Sequence, residues 1–194
     1  MLKDAQELGY AESDPAADVE GSDAADKIAI LSGLAFGGAI NRADIPTTGI
    51  NLLEAIDVNY ARKLGYGIKL LAISEKGKTQ SSNEMSQPLS IWVEPTLVPE
   101  DNPLAGVNGV NNAILVEGNP IGQVMFFGPG AGSGPTASAV VADILNIAGI
   151  QAMSEERRLN LDPLLSAKSW RICHVAEEKE ITKKTYIRLI TEDT

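Results

Sequence analysis

The chain is poor in the side chains that form disulfides and zinc sites. It has one cysteine, Cys173, and one histidine, His174, among 194 residues. A lone cysteine excludes an internal disulfide framework and fits a reducing cytosol. Zinc sites usually take about three or four such ligands, so metal-dependent hydrolysis is not expected, although carboxylates alone could hold Mg²⁺ or Ca²⁺. Since neighbouring residues of a strand point to opposite faces, we expect Cys173 and His174 to serve packing rather than catalysis.

Long hydrophobic runs and an excess of basic residues are also missing. The longest apolar stretches, such as 113–116 and 137–141, are far shorter than the roughly 20 residues that span a bilayer. The first seven residues have no apolar core of an export signal, so we expect a cytoplasmic protein. With 16 basic and 26 acidic residues the net charge is −10, which argues against a nucleic-acid partner.

What remains is the composition of one ordinary globular domain. Hydrophobic residues make up 44% of the chain and charged residues 22%, and the length allows a sizeable core. Caps, breakers and periodicity predict a loop over 11–22, with Ser22 as the N-cap of the helix after it. They predict helices over 2–8, 23–36, 53–64 and 135–150, and strands over 68–74, 89–93, 113–117 and 123–127. This order predicts an α+β fold, in which a mixed β-sheet has helices packed on one face.

The last thirty residues differ in character from the rest. Residues 176–184 are a charged linker, and Tyr186–Ile190 alternates like a new strand. We therefore predict a main domain over 1–165 and a separate segment over 166–194. A first helix without a cap and a last strand without a partner suggest a sequence that is cut at both ends.

The densest functional signal is an acidic loop that runs into a helix. Glu12, Asp18 and other carboxylates precede Asp23 and Lys27, which lie four residues apart and so share one helix face. The helix continues as a nearly unbroken apolar run, which predicts burial. A lysine held there by carboxylates could pass a proton to a developing alkoxide. The alternative is a solvated ion pair, with acidic residues that only complement the helix dipole.

A second signal is the glycine-rich run 128–134, between an apolar strand and the helix that starts near Pro135. Glycine lets the backbone approach a ligand closely, and a helix N-terminus favours anionic groups. The spacing is not G-x-G-x-x-G, and the run comes too late for a complete dinucleotide fold to follow it. The run is therefore either part of a cofactor site or a plain tight turn.

Several motifs in order resemble those of homoserine dehydrogenases. The matching segments are Leu8-Gly9-Tyr10-Ala11-Glu12-Ser13-Asp14-Pro15, Asp18-Val19-Glu20-Gly21, Asp23-Ala24-Ala25-Asp26-Lys27, Tyr60-Ala61-Arg62-Lys63-Leu64-Gly65-Tyr66, Ile68-Lys69-Leu70-Leu71-Ala72, Pro95-Thr96-Leu97-Val98-Pro99, Gly128-Pro129-Gly130-Ala131-Gly132 and Pro135-Thr136-Ala137-Ser138-Ala139-Val140-Val141-Ala142-Asp143. They cover about residues 2–150. Because several independent motifs keep the family's order, the resemblance is specific.

The resemblance implies a reaction and the residues that serve it. The reaction is NAD(P)H-dependent, reversible reduction of L-aspartate 4-semialdehyde to L-homoserine, on the route to threonine, methionine and isoleucine. By motif, Lys27 looks like the lysine that protonates the carbonyl oxygen, and Asp23 like the carboxylate beside it. Glu12 is similar to the residue that binds the substrate's amino group, and Asp18 to a further acidic residue of the pocket.

The resemblance also implies a cofactor and assembly. Gly132, with Gly130 beside it, resembles the glycine segment that approaches the nicotinamide cofactor, NADP or NAD. The family's sheet segments join across a subunit interface, so we expect a homodimer. Asp26 and Glu94 stand where the family often has histidine.

The resemblance is incomplete at both ends. The family's N-terminal Rossmann domain has no counterpart here, and Tyr186–Ile190 resembles only the first strand of an ACT regulatory domain. We therefore expect no useful dehydrogenase activity from these residues alone. Two other hypotheses stay open: a stand-alone module that binds an amino acid or dimerises, and an acidic metal-binding protein. The second is weakened because the carboxylates follow no recognisable Ca²⁺-loop spacing.

Overall fold

A computed structural model of the chain describes residues 14–76, 88–130, 132–153 and 171–189. The helices are α1 (Ala16–Val19), α2 (Ser22–Phe36), α3 (Ala55–Lys63) and α4 (Ser133–Gln151). The strands are β1 (Gly38–Ala39), β2 (Tyr66–Lys76), β3 (Leu89–Pro99), β4 (Asn111–Gly118), β5 (Gly122–Pro129) and β6 (Arg171–Ile172). Single 3-10 turns lie at Arg42–Asp44, Pro103–Gly106 and Glu178–Glu180. The predicted helix over 2–8 lies outside the described residues.

The central element is the antiparallel hairpin of β2 and β3, paired from Tyr66↔Pro99 to Lys76↔Leu89. β3 runs six residues beyond its predicted end at Val93, past Pro95. The amides of Leu89 and Val93 donate away from β2, to the carbonyls of His174 and Pro46. Pro95 lies two residues after Val93, so its backbone nitrogen also faces away from β2. Its missing N–H therefore costs no hydrogen bond to β2. Pro95 is therefore accommodated inside the strand.

The core lies between α2 and one face of this hairpin. Ala25 of α2 and Ile91 of β3 are completely buried, and Val93 is 1% exposed. Ala24, Ile28, Ala29, Leu70 and Ala72 pack around them. Each buried branched side chain contributes about 1.5–3 kcal/mol to stability. The helix is covered on this side only, because Ile30 and Leu34 are 62% and 48% exposed.

A third stretch of chain completes this layer from far away in sequence. β6 pairs in parallel with β1, and the Cys173 amide donates to the Ala39 carbonyl at 2.9 Å. The same stretch then reaches β3, where Leu89 forms a parallel bridge with Val175. Half-buried Cys173 packs against the core, in agreement with a packing role.

The second hairpin, β4 with β5, is paired from Asn111↔Pro129 to Gly118↔Gly122 and leads into α4. Both carry exposed apolar side chains, among them Phe126 at 62% and Leu145 at 66%. Among the described residues, no helix combines the length and the apolar character needed to cross a membrane.

The described part of the last segment lies along the main domain and is held by charged contacts. Lys183 pairs with Glu94 of β3. The Arg188 guanidinium lies 2.8 Å from Glu54 and 3.2 Å from Asp57 at the start of α3. The hydrogen bond to Glu54 raises the pKa of Arg188 above its usual value. Residues 186–189 belong to no strand, so the strand predicted over 186–190 is wrong for them; side-chain contacts hold this segment instead of a backbone ladder.

The predicted α+β class is confirmed. Within the described residues its mixed pairing is realised as three two-stranded sheets, two antiparallel and one parallel, rather than as one wide sheet. The predicted loop over 11–22 contains the one-turn helix α1, and its residues 11–13 lie outside the described residues. Ser22 is the first residue of α2 and not its N-cap, because Gly21 with φ of 82° makes the turn into the helix.

Candidate active site

The acidic loop is folded into two successive helical segments. The Asp14 carboxylate accepts a hydrogen bond from the Ala16 amide at 3.1 Å and so starts α1, which carries Asp18 on its exposed side. Gly21 then turns the chain into α2, and the Ser22 hydroxyl donates back to the Ala17 carbonyl at 3.3 Å. Asp18 and Asp23 are therefore carried by neighbouring elements that contact each other.

Asp23 and Lys27 form the ion pair that their spacing predicts. Lys27 Nζ lies 2.5 Å from Asp23 Oδ2, one turn apart on α2. The two side chains are 61% and 43% exposed, so the predicted burial of Lys27 is wrong for this chain by itself. The apolar residues that follow Lys27 are only partly covered, which explains the difference. An exposed pair of this kind contributes only a few tenths of a kcal/mol.

A second ion pair lies beside the first and was missed by sequence reasoning. Arg42, in the 3-10 turn after β1, lies 2.9 Å from Asp26 Oδ1. The two residues are 16 apart in sequence, and no local pattern could have predicted the contact. Two cations, Lys27 and Arg42, thus stand along an otherwise acidic helix start.

The glycine-rich run joins β5 to α4. Gly132 has φ of 119° and forms the N-cap of α4 without a side-chain hydrogen bond, so a substitution there would strain the backbone. Gly130 has a different constraint: an added Cβ would lie 1.7 Å from Asn112 Nδ2 of β4. The need for glycine at position 130 is therefore explained by packing in the hairpin.

The structure brings some of the predicted site residues together and leaves others apart. Asp18, Asp23 and Lys27 lie within α1 and α2, whereas Gly130 and Gly132 belong to the hairpin–α4 unit. Among the described residues, no hydrogen bond or ion pair joins Gly130 or Gly132 to Lys27. Glu12 lies outside the described residues. In the same described ranges, no cluster of three or more histidine, cysteine or acidic side chains could hold a metal ion.

Comparisons with known proteins agree on one family. The family model for homoserine dehydrogenase matches residues 1–145. The homoserine dehydrogenase of Synechocystis is 51% identical over all of this chain, which spans 43% of that relative. That of Neisseria gonorrhoeae is 40% identical over all of the chain and 42% of the relative. The chain thus spans about two fifths of the length of these relatives.

Solved structures give the same result. A homoserine dehydrogenase from Thiobacillus denitrificans matches 91% of this chain with a TM-score of 0.74 and 40% identity, and the match covers 39% of that protein. A hyperthermophilic archaeal homoserine dehydrogenase mutant in complex with NADPH matches 74% of this chain and 38% of its own, with a TM-score of 0.55 and 32% identity. The chain belongs to the homoserine dehydrogenase family.

Proposed function

We propose that this chain supplies the substrate-holding part of a homoserine dehydrogenase, which interconverts L-aspartate 4-semialdehyde and L-homoserine with NADP or NAD. The observation that carries the proposal is the Asp23–Lys27 ion pair at the start of α2, directly after the acidic α1 segment. Membership of the family supports the assignment. The reaction belongs to the biosynthesis of threonine, methionine and isoleucine, and a cytoplasmic location follows from that role.

Each side chain of this segment has a chemical role in the proposal. Lys27 donates a proton to the carbonyl oxygen, where negative charge develops as the carbonyl is reduced. Asp23, 2.5 Å from the ammonium, orients the Lys27 side chain. Asp18 and Glu12 hold the positively charged amino group of the substrate. An acidic pocket fits this substrate class because the group to be held is a cation.

The residues of the glycine-rich run fit one side of a nicotinamide cofactor site. A bound NADP or NAD supplies the hydride in this family of reactions. The N-terminus of α4 has no side-chain cap, and a Cβ at Gly134 would meet no neighbouring atom within 4 Å. Backbone amides without a capping side chain favour an anionic or carboxamide group. In the proposal Gly132 would contact the cofactor, while Gly130 allows close packing against Asn112 in the β4–β5 hairpin.

The proposal includes an organisation of the whole molecule. Residues 1–165 form the substrate and dimerisation domain, and residues 166–194 form a linker segment. The exposed apolar side chains of β4, β5 and α4 favour a homodimer of this domain. No G-x-G-x-x-G motif occurs in the sequence, so we expect no turnover from these 194 residues alone. A stand-alone amino-acid-binding or dimerisation module is the second candidate, favoured by that same missing motif.

Calorimetry with L-homoserine, beside a dehydrogenase assay, tests the proposal. The wild-type chain should bind L-homoserine, and Glu12→Ala should lose binding because the carboxylate that holds the amino group is gone. Lys27→Ala should bind more weakly, whereas Lys63→Ala, an exposed lysine of α3, should bind like the wild type.

The assay separates the two candidates. Binding without turnover, lost in Glu12→Ala, supports the substrate-holding role. No binding by the wild type at any reachable concentration would overturn it, and turnover by the chain alone would refute the expectation that a further domain is required. Binding of many amino acids with equal affinity would favour the stand-alone module.

A further inference from the structure

The backbone at Gly49 lies directly against the turn that connects α1 to α2. The Ile50 amide donates to the Val19 carbonyl at 2.9 Å. A Cβ built on Gly49 would lie 2.3 Å from the Val19 oxygen and 2.6 Å from Glu20 Cα. Both neighbours are backbone atoms, so no side-chain rotation could relieve the clash. Only glycine fits between these two stretches of chain.

The other side of the same stretch is fixed to the core. The Val93 amide of β3 donates to the Pro46 carbonyl at 2.9 Å, and the Thr48 amide donates to the Val93 carbonyl at 2.8 Å. Thr47 forms a bridge with Val93, and its Cγ2 methyl lies 3.3 Å from where a Cβ on Gly21 would be. Residues 46–50, called the spacer from here on, thus fill the gap between buried β3 and the acidic turn.

The spacer sets the position of side chains that it does not touch. Val19, Glu20 and Gly21 join Asp18 to the first turn of α2, where Asp23 and Lys27 lie. An alanine at position 49 would have to move the turn by about 1 Å, since ordinary contacts begin near 3.4 Å and the available distance is 2.3 Å. A misplacement of about 1 Å in a reacting arrangement can lower a rate by roughly 100-fold.

We propose that Gly49 is a positioning residue. It holds the turn between α1 and α2 in the position at which Asp18 and the Asp23–Lys27 pair face the same substrate. The inference rests on the proposed function for its ligand, but its geometric part stands on the spacer contacts alone. The spacer has no charged side chain, so it acts through position and not through binding.

The test compares Gly49→Ala with Gly106→Ala in the full chain. A Cβ at Gly106 meets no atom within 4 Å, so it is the matched control. Gly49→Ala should raise the Kd for L-homoserine at least about tenfold, and Gly106→Ala should leave it unchanged. Thermal unfolding of each variant is measured beside binding, because a merely structural role lowers the melting temperature without changing the Kd of folded protein.

A milder variant covers the case in which Gly49→Ala does not fold. Thr47→Ser removes only the methyl that supports Gly21, and it should raise the Kd a few-fold with little change in melting temperature. Unchanged affinity in the folded variants would overturn the proposal.

Amide chemical shifts distinguish a failure of the proposed function from a failure of the role proposed for the spacer. If the wild type does not bind L-homoserine, the proposed function fails. The spacer's role is then decided by the Asp18, Glu20 and Asp23 amides, which should shift in Gly49→Ala and not in Gly106→Ala. If these amide signals do not shift in Gly49→Ala, the role proposed for the spacer is overturned.

Discussion

Two serine hydroxyls are buried, that of Ser32 on α2 and that of Ser74 on β2. Ser32 is 1% exposed, and neither oxygen has a hydrogen-bond partner among the described residues. An unsatisfied buried hydroxyl costs about 1–3 kcal/mol. These positions therefore weaken a core that is otherwise made of small and branched apolar side chains.

Replacing the buried hydroxyl of α2 should stabilise the protein. Ser32→Ala removes the unpaired oxygen and introduces a better helix former, so we expect the free energy of unfolding to rise by roughly 0.5–2 kcal/mol. Urea denaturation followed by circular dichroism measures this. Ser22→Ala is the matched control, because its hydroxyl donates to the Ala17 carbonyl and its loss should not stabilise. A destabilised Ser32→Ala would show that the hydroxyl is satisfied in solution.

The phenol of Tyr186 makes docking of the last segment sensitive to alkaline pH. Partial burial, then the nearby Asp57 carboxylate and its hydrogen bond, raise the pKa of Tyr186 above its ordinary value of 10.0, while Arg188 opposes the rise. The protonated phenol is therefore favoured in the folded chain. Its contribution is fully present below pH 10 and is lost as the pH rises through the higher folded value.

A spectroscopic titration of tyrosinate at 295 nm checks that the pKa of Tyr186 is raised and not lowered. The difference between the wild type and Tyr186→Phe should show one phenol that ionises later than a free tyrosine. Alkaline unfolding of Tyr186→Phe should begin at a higher pH than that of the wild type. A difference curve that titrates at or below pH 10 would contradict the docked arrangement.

At the scale of elements, Asp57 connects the start of α3 to the last segment. Its carboxylate accepts from the Glu54 amide at 3.0 Å, as part of a capping box, and lies 3.2 Å from Arg188. Asp57 is 7% exposed, so its charge needs these partners. One side chain thus caps a helix and anchors a segment about 130 residues later.

Removing the cation of this anchor should loosen both elements. Arg188→Met keeps much of the side-chain length, and we expect it to lower the free energy of unfolding, because it leaves Asp57 with fewer partners. Arg62→Met, an exposed arginine of α3, serves as the control and should change little. A double-mutant cycle with Asp57→Asn measures the coupling; strict additivity would mean that the two residues do not interact.

Local signals in the sequence predict most elements, but they do not predict contacts between residues that are far apart in the chain. Gly37, with φ of 73°, ends α2 where the sequence predicts, and the i,i+4 spacing correctly pairs Asp23 with Lys27. The capping box of α3 and the glycine before β2 act over a few residues, so their consequences can be read locally. β6 could not be found this way, because its partner β1 lies far from it in the chain.

The candidate site follows the same division. Its acidic residues and Lys27 lie close together in sequence and were predicted, whereas Arg42 reaches Asp26, and Gly49 reaches the turn after α1, through contacts made only in the folded chain. The burial of Lys27 was predicted wrongly, because an apolar helix pattern shows that a surface can be covered but not what covers it.

At the scale of the whole molecule, exposed apolar side chains and acidic charge have opposing effects on self-association. Phe126 and Phe127 of β5 are 62% and 57% exposed, and the net charge of −10 makes two copies repel each other. Salt screens repulsion between exposed charges but leaves apolar contact intact. A homodimer formed through this hairpin should therefore tighten as ionic strength increases.

Sedimentation velocity at low and high salt tests the dimer. Phe126→Glu should shift the chain to monomer at concentrations where the wild type is dimeric, because it places a charge in an apolar contact. Gln123→Glu adds the same charge elsewhere on β5 and should weaken the dimer much less. A wild type that stays monomeric at all salt concentrations would refute association through β5.

The parallel stretch from β6 to Val175 also has a consequence for the order of folding. The β2–β3 hairpin forms between strands that are close in sequence. The Leu89–Val175 bridge must instead close a loop of some 85 residues, and the pairing of β1 with β6 closes a longer loop. Contacts between residues that are distant in sequence form late, because the entropy of closing a long loop is lost before they stabilise anything. In pulse-labelling hydrogen exchange, β2 amides should gain protection first. The Leu89 and Ala176 amides, which bond across that bridge, should gain it last.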